Sequence, residues 1–240
     1  MLLAPFYNTQ DNKVVVSAEQ ASSFAKRQCF DFNPIHDPEN KRFCVPGDLL
    51  FSLALHTYGV SESMSFTFTN MVGADVGLIF PETDDELIVV TNEQGKSVLE
   101  ITRKGKVNKD SHFIESLIKH YGKFSGQNFP TLLMPLMKEH GVMFNPSRPL
   151  VMYNSMSFEF TSVDFEHAMQ LKLADSTLEV EPKRANSFLH FDIFDGDKVA
   201  GKGIKKLVVA GLRPYNEEVL MPFVDVYEAR KDAFWLAESK

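Results

Sequence analysis

Ser63-Met64-Ser65-Phe66-Thr67-Phe68-Thr69 returns, 92 residues later, as Ser155-Met156-Ser157-Phe158-Glu159-Phe160-Thr161. In both copies Met, Phe and Phe alternate with polar residues. That period of two is the pattern of a half-buried strand. Two looser echoes keep the same order. Phe24-Ala25-Lys26 parallels Tyr121-Gly122-Lys123, and Gln94-Gly95-Lys96-Ser97-Val98 parallels Gly196-Asp197-Lys198-Val199. Several matches in one order point to a duplication, with halves at 1–106 and 107–240.

Each half reads as helices followed by strands. In the first, a helix is expected from Ser17 to Cys29, where Ser17 and Gln20 have capping-box spacing. A second runs from Gly47 to Tyr58 and is stopped by Gly59. Strands are expected at 63–70, 74–80, 86–92 and 97–104. The second half repeats the order, with helices at 111–122 and 131–140 and strands at 150–160, 169–173, 187–194 and 198–209. A terminal helix over 216–236 carries Pro222. The fold class is α+β.

Bulk properties narrow the function. Of 240 residues, 44% are hydrophobic and 24% are charged, as in a globular protein. A net charge of −7 with no Lys/Arg cluster argues against a nucleic-acid partner. No apolar run approaches the roughly 20 residues that cross a bilayer, so no membrane insertion is expected. No signal peptide is recognisable, and a cytoplasmic location follows. Cys29 and Cys44 are read as reduced thiols, with a disulfide between them left open. The scattered histidines show no metal-ligand spacing.

The chemistry concentrates between the first two helices, in Asp31-Phe32-Asn33-Pro34-Ile35-His36. A carboxylate and an imidazole lie five residues apart on a proline-stiffened turn. Pro46-Gly47-Asp48 then opens a helix, whose first amides are free donors at the positive end of its dipole. An acid, a base and a helix N-terminus together suit proton transfer beside a developing oxyanion. In isolation, Asp, Asn and Pro are also ordinary turn residues.

The run D-x-N-P-x-H resembles the signature of MaoC-like (R)-specific enoyl-CoA hydratases, which are hotdog-fold enzymes. The resemblance implies a double hotdog: two tandem domains, each a central helix wrapped by an antiparallel sheet, packed as a pseudo-dimer. It implies a hydratase or dehydratase acting on an acyl thioester of coenzyme A or acyl carrier protein, with no cofactor beyond that carrier. Asp31 and His36 would be the catalytic pair, and Asn33 would fix the loop or hold the water. Gly47 would be the oxyanion donor, with Pro46 and Asp48 beside it at the substrate. Hotdog proteins also include thioesterases and could include non-catalytic acyl-binding proteins, and these are the rival readings. The whole chain also resembles a proteobacterial family with no assigned function. A monomer or a homodimer is expected.

The chain departs from the hydratase pattern at Pro46-Gly47, where those enzymes carry His-Gly, and at Asp48. A carboxylate in the first helical turn favours the helix, and capping chemistry predicts that Asp48 turns away from the site. The second half lacks the pair in either register. Aligning Pro130 with Pro34 sets Gln127 opposite Asp31 and Leu132 opposite His36, whereas aligning Pro130 with Pro46 deletes the loop. One site per chain is expected.

Overall fold

The computed structural model describes residues 1–126 and 128–239. Gln127, the position aligned with Asp31, lies outside the described residues.

The first half opens with a hairpin, β1 (Asn8–Gln10) and β2 (Lys13–Val15), that the sequence pattern did not reveal. Helix α1 (Ala18–Gln28) follows. Ser17 caps it: Ser17 Oγ accepts from the Gln20 amide at 3.2 Å, and Gln20 Oε1 accepts from the Ser17 amide at 3.0 Å. Helix α2 (Gly47–Tyr58) buries nine of its twelve residues and ends at Gly59, whose φ of 81° is left-handed. A helix apolar on nearly every side must be surrounded. Strands β3 (Val60–Phe68), β4 (Leu78–Ile79), β5 (Leu87–Asn92) and β6 (Ser97–Asn108) come next.

The second half holds α3 (Ser111–Gly126), α4 (Asn128–Thr131), α5 (Leu133–Glu139), β7 (Val142–Met143), β8 (Val151–Phe160), β9 (Met169–Val180), β10 (Arg184–Asp195), β11 (Lys198–Ala210), β12 (Arg213–Pro214) and α6 (Glu217–Glu238). No helix among the described residues is long and apolar enough to cross a membrane.

Ten strands form one antiparallel sheet in the order β1-β2-β4-β5-β6-β3-β8-β11-β10-β9. The two repeated segments are its join. Ser65 pairs with Ser157, Met64 with Phe158 and Phe66 with Met156. Met64 and Met156 are equivalent in the repeat, as are Phe66 and Phe158. The pairing therefore has local two-fold character about Ser65 and Ser157. Phe51 of α2 covers this join, with its ring 4.8 Å from Phe66 and 6.5 Å from Phe158. It also meets Tyr121 of α3 at 4.7 Å. One hydrophobic core runs from Leu3 to Ile193, across both halves. A smaller one collects α5, the far ends of β9 to β11 and α6.

Three expectations change. The strand expected over 74–80 shrinks to Leu78–Ile79, because Asp75 has a φ of 59° and breaks the extended chain. Strand β9 runs seven residues beyond the expected 173. It is an edge strand, largely exposed, so it has no alternating apolar signal. The expected junction at 106/107 falls inside β6, which continues to Asn108.

Candidate active site

The loop after α1 is rigid by construction. The Asp31 carboxylate accepts the Asn33 amide at 2.9 Å, and Asn33 Oδ1 accepts the Ile35 amide at 3.1 Å. These are successive Asx-type turns, and they lead into a single 3-10 turn, Pro34–His36. Asn40 Nδ2 donates to the Pro34 carbonyl at 2.7 Å, and the Cys44 amide donates to the Ile35 carbonyl at 3.0 Å. Asn33 thus spends its side-chain oxygen on fixing the loop.

His36 is held through one ring nitrogen and faces Asp31 with the other. Nδ1 lies 2.7 Å from the Cys44 carbonyl, which can only accept, so Nδ1 carries the proton. Nε2 faces Asp31 Oδ2 at 3.6 Å. In the neutral ring Nε2 is therefore the basic atom, and the gap to the carboxylate is too long for a direct hydrogen bond. Both atoms can share one small molecule that sits beside them on the cavity side. Burial pushes the Asp31 carboxyl above its ordinary value, while His36 and the Asn33 amide pull it back.

Asp31, Asn33 and His36 line a cavity of about 530 Å³ together with Gly47 and Asp48. The Gly47 and Asp48 amides, first in α2, have no acceptor among the described residues. Gly47 is glycine because Tyr153 comes close: a Cβ there would stand 2.8 Å from Tyr153 Cδ1 and 3.4 Å from the Phe68 ring. Pro46 starts the helix: its carbonyl accepts from the Leu49 and Leu50 amides at 3.0 and 3.3 Å, and its neighbours Val45 and Gly47 line the cavity.

Asp48 does not turn away, contrary to the capping argument. It is 7% exposed and sits on the cavity wall. Ser125 Oγ, from the end of α3, donates to Asp48 Oδ1 at 2.7 Å. Lys205 Nζ, from β11, donates to Ser125 Oγ and lies 4.3 Å from the centre of the Tyr153 ring. A buried ammonium bridged through a hydroxyl offsets what capping alone ignores. The Tyr153 and Tyr121 hydroxyls bond each other, and burial pushes both phenols well above their usual range.

Sequence reasoning missed Ser125, Lys205 and Tyr153. One signal for Lys205 was present: along β11 it falls in phase with Leu207 and Val209, the buried side of the strand. Nothing local marks Ser125.

Helix α6 closes one wall with Phe223 and Tyr227. The Phe32 amide donates to the Tyr227 hydroxyl at 3.2 Å, next to Asp31. Asp37, buried beyond the motif, pairs with Lys26 at 3.0 Å and with Arg230 of α6. Both cysteines are free thiols, and burial raises both above the usual thiol value, which leaves them poor nucleophiles.

The model of a family described as "Protein of unknown function (DUF3581)" matches residues 1–218. The chain belongs to the DUF3581 family. Comparison with curated proteins found no match. Among solved structures, this DUF3581 chain is similar to an acyl-CoA thioesterase II, TesB2, from Mycobacterium marinum. The identity is 11% and the TM-score 0.43, over 90% of this chain and 99% of that one. A tesB protein of Mycobacterium avium subspecies paratuberculosis gives 10% and 0.41, over 71% and 89%. A MaoC-like dehydratase gives 10% and 0.41, over 86% and 99%.

Proposed function

We propose that this DUF3581 protein binds an acyl thioester in the 530 Å³ cavity and adds or removes water across a double bond beside the thioester carbonyl. The observation that carries the reading is the facing of His36 Nε2 and Asp31 Oδ2 across 3.6 Å, with Nδ1 committed to a carbonyl. A water bridging the two from the cavity side would lose its proton to His36 Nε2 as its oxygen attacks the β-carbon. Asp31 would orient that water, and the pair would return a proton to the α-carbon. Charge gathering on the thioester oxygen would meet the Gly47 amide at the head of α2.

The architecture fits a double hotdog, with the two halves joined through Ser65 and Ser157 and α2 as a central helix. Asp31, His36 and the α2 N-terminus all belong to the first half, so we assign one site per chain. The second half supplies wall residues such as Tyr153 and Lys205. The acyl carrier is coenzyme A or an acyl carrier protein.

One observation favours a second reading. The inward Asp48 carboxylate opposes an enolate beside it, which suits a protein that holds acyl thioesters without turning them over. A panel of trans-2-enoyl-CoA and saturated acyl-CoA substrates, short to medium in length, separates the classes. Loss of enoyl absorbance without thiol release is the result expected. Thiol release would make the protein a thioesterase, and binding without either reaction would make it a carrier.

A further inference from the structure

The ten-stranded sheet ends differently at its two edges. At one, β1 offers three residues. At the other, β9 offers twelve, Met169–Val180, and pairs only with β10. The outward amides and carbonyls of a long edge strand are a template for another strand.

In the folded chain β9 keeps one apolar face along its length, although its sequence shows no regular alternation. The register against β10 slips at Ala174: Asp175 pairs with His190 and Leu173 with Phe191. The extra residue shifts the alternation by one. Leu171 and Leu173 before the slip share a face with Ser176, Leu178 and Val180 after it, because the residues opposite them on β10 are all buried. That face is not fully covered at the edge, where Leu173 is 40% and Val180 44% exposed. The other face carries Lys172, Asp175, Thr177 and Glu179. Among the described residues none of its three charges has an ion-pair partner. The Lys172 ammonium rests over the Phe194 ring at 4.6 Å, and Asp192, opposite it on β10, is not in ion-pair reach.

These features complement a second copy of the same strand. An antiparallel pairing with its two-fold axis between Ala174 and Asp175 runs the full length of β9, from Met169 opposite Val180 of the second copy. Leu171 then meets Leu178 of the second copy on the apolar face. On the other face Lys172 stands opposite Thr177, diagonal to Asp175 and Glu179 of the second copy. Diagonal neighbours are roughly 7–8 Å apart, within reach of long side chains. A pairing of β9 with β1 of the next copy would span three residues and leave the assembly open at both ends, whereas β9 on β9 closes.

We propose that β9 is a dimerisation edge, at which two copies of this chain pair antiparallel through Met169–Val180 and continue one sheet into the other. The inference does not depend on the reaction proposed for the cavity.

The test is sedimentation equilibrium of the full chain and three variants at low and moderate salt. The parent should be a reversible dimer. Leu173→Lys charges the apolar face at an exposed position, and Lys172→Glu sets like charges in the diagonal contacts. Each should raise the dimer Kd roughly tenfold or more, because the two-fold axis counts every substitution twice, and should leave the far-ultraviolet spectrum unchanged. Adding Asp175→Lys and Glu179→Lys to Lys172→Glu reverses every sign and should recover most of the lost affinity. A parent that stays monomeric would overturn the inference and make the three charges guards of a free edge. A dimer that neither single variant weakens would place the interface elsewhere. A triple variant no tighter than Lys172→Glu would overturn the antiparallel pairing, and growth beyond the dimer with concentration would overturn the closed two-fold arrangement.

Discussion

His36 Nε2 and Asp31 Oδ2 face each other across 3.6 Å, and the Cys44 carbonyl, 2.7 Å from Nδ1, fixes which nitrogen is basic. Two short segments thus set the geometry of the pair: the Asx turns at Asp31 and Asn33, and the return of the chain at Cys44. The carboxyl is held where burial opposes its charge, a cost that a purely structural loop has no reason to carry.

That cost gives the first prediction. Burial raises the Asp31 value in the folded chain above the ordinary 3.8. Below 3.8 both folded and unfolded chains hold the proton, and the contribution of Asp31 to stability is at its most favourable. As the pH rises through the folded value, the half-buried carboxyl ionises against its surroundings and that stability is lost. Asp31→Asn should therefore raise the melting temperature at pH 7 by a few degrees, at about 2–4 °C per kcal/mol for a chain of this size. The gain should disappear at about pH 3. A variant that melts lower than the parent at pH 7 would contradict the burial argument.

Gly126 packs against the backbone that leads into the motif. A Cβ there would stand 1.7 Å from the Cys29 carbonyl oxygen and 3.2 Å from the Asp31 amide nitrogen. Backbone cannot give way as a flexible side chain can. Gly126→Ala should cost about 3 kcal/mol, the upper end of ordinary overpacking. Denaturant melts with an unchanged m-value would measure it, and a cost near zero would show that α3 can slide.

Lys205 and Asp48 are coupled through one hydroxyl. Lys205→Met alone leaves the Asp48 carboxylate buried without its cation, and should destabilise by about 3 kcal/mol. Adding Asp48→Leu should recover most of that loss, since a buried pair replaced by apolar groups is often neutral. A double-mutant cycle in urea reads the coupling. Additive losses would mean that the two side chains do not interact.

The Tyr227 hydroxyl is the partner of the buried Phe32 amide. Tyr227→Phe leaves that donor unmet and should cost about 1–3 kcal/mol. Hydrogen exchange at Phe32 should speed up, and equal exchange in both proteins would show that α6 does not hold the loop.

The sequence carried some of this and not the rest, for physical reasons. The repeat at Ser63 and Ser155 was visible because a half-buried strand writes its period into its own residues. Its two copies are the strands that pair at the centre of the sheet. Asp31, Asn33 and His36 were visible because turns and caps are made by neighbours in sequence. Ser125 lies 77 residues from Asp48, and Lys205 a further 80 from Ser125, and no local pattern records such a meeting. Asp48 shows the limit most clearly. Its place in the first turn argued for solvent, and a lysine on a strand of the other half reversed that.

The most direct test of the central claim is turnover of trans-2-enoyl-CoA by the parent protein, Asp31→Asn and His36→Ala, assayed side by side with each shown to be folded. The account predicts hydration by the parent and a loss of at least about a hundredfold in each variant, the usual scale for removing a general acid or base. Hydration that survives in either variant, or no hydration by the parent at any chain length, would contradict it.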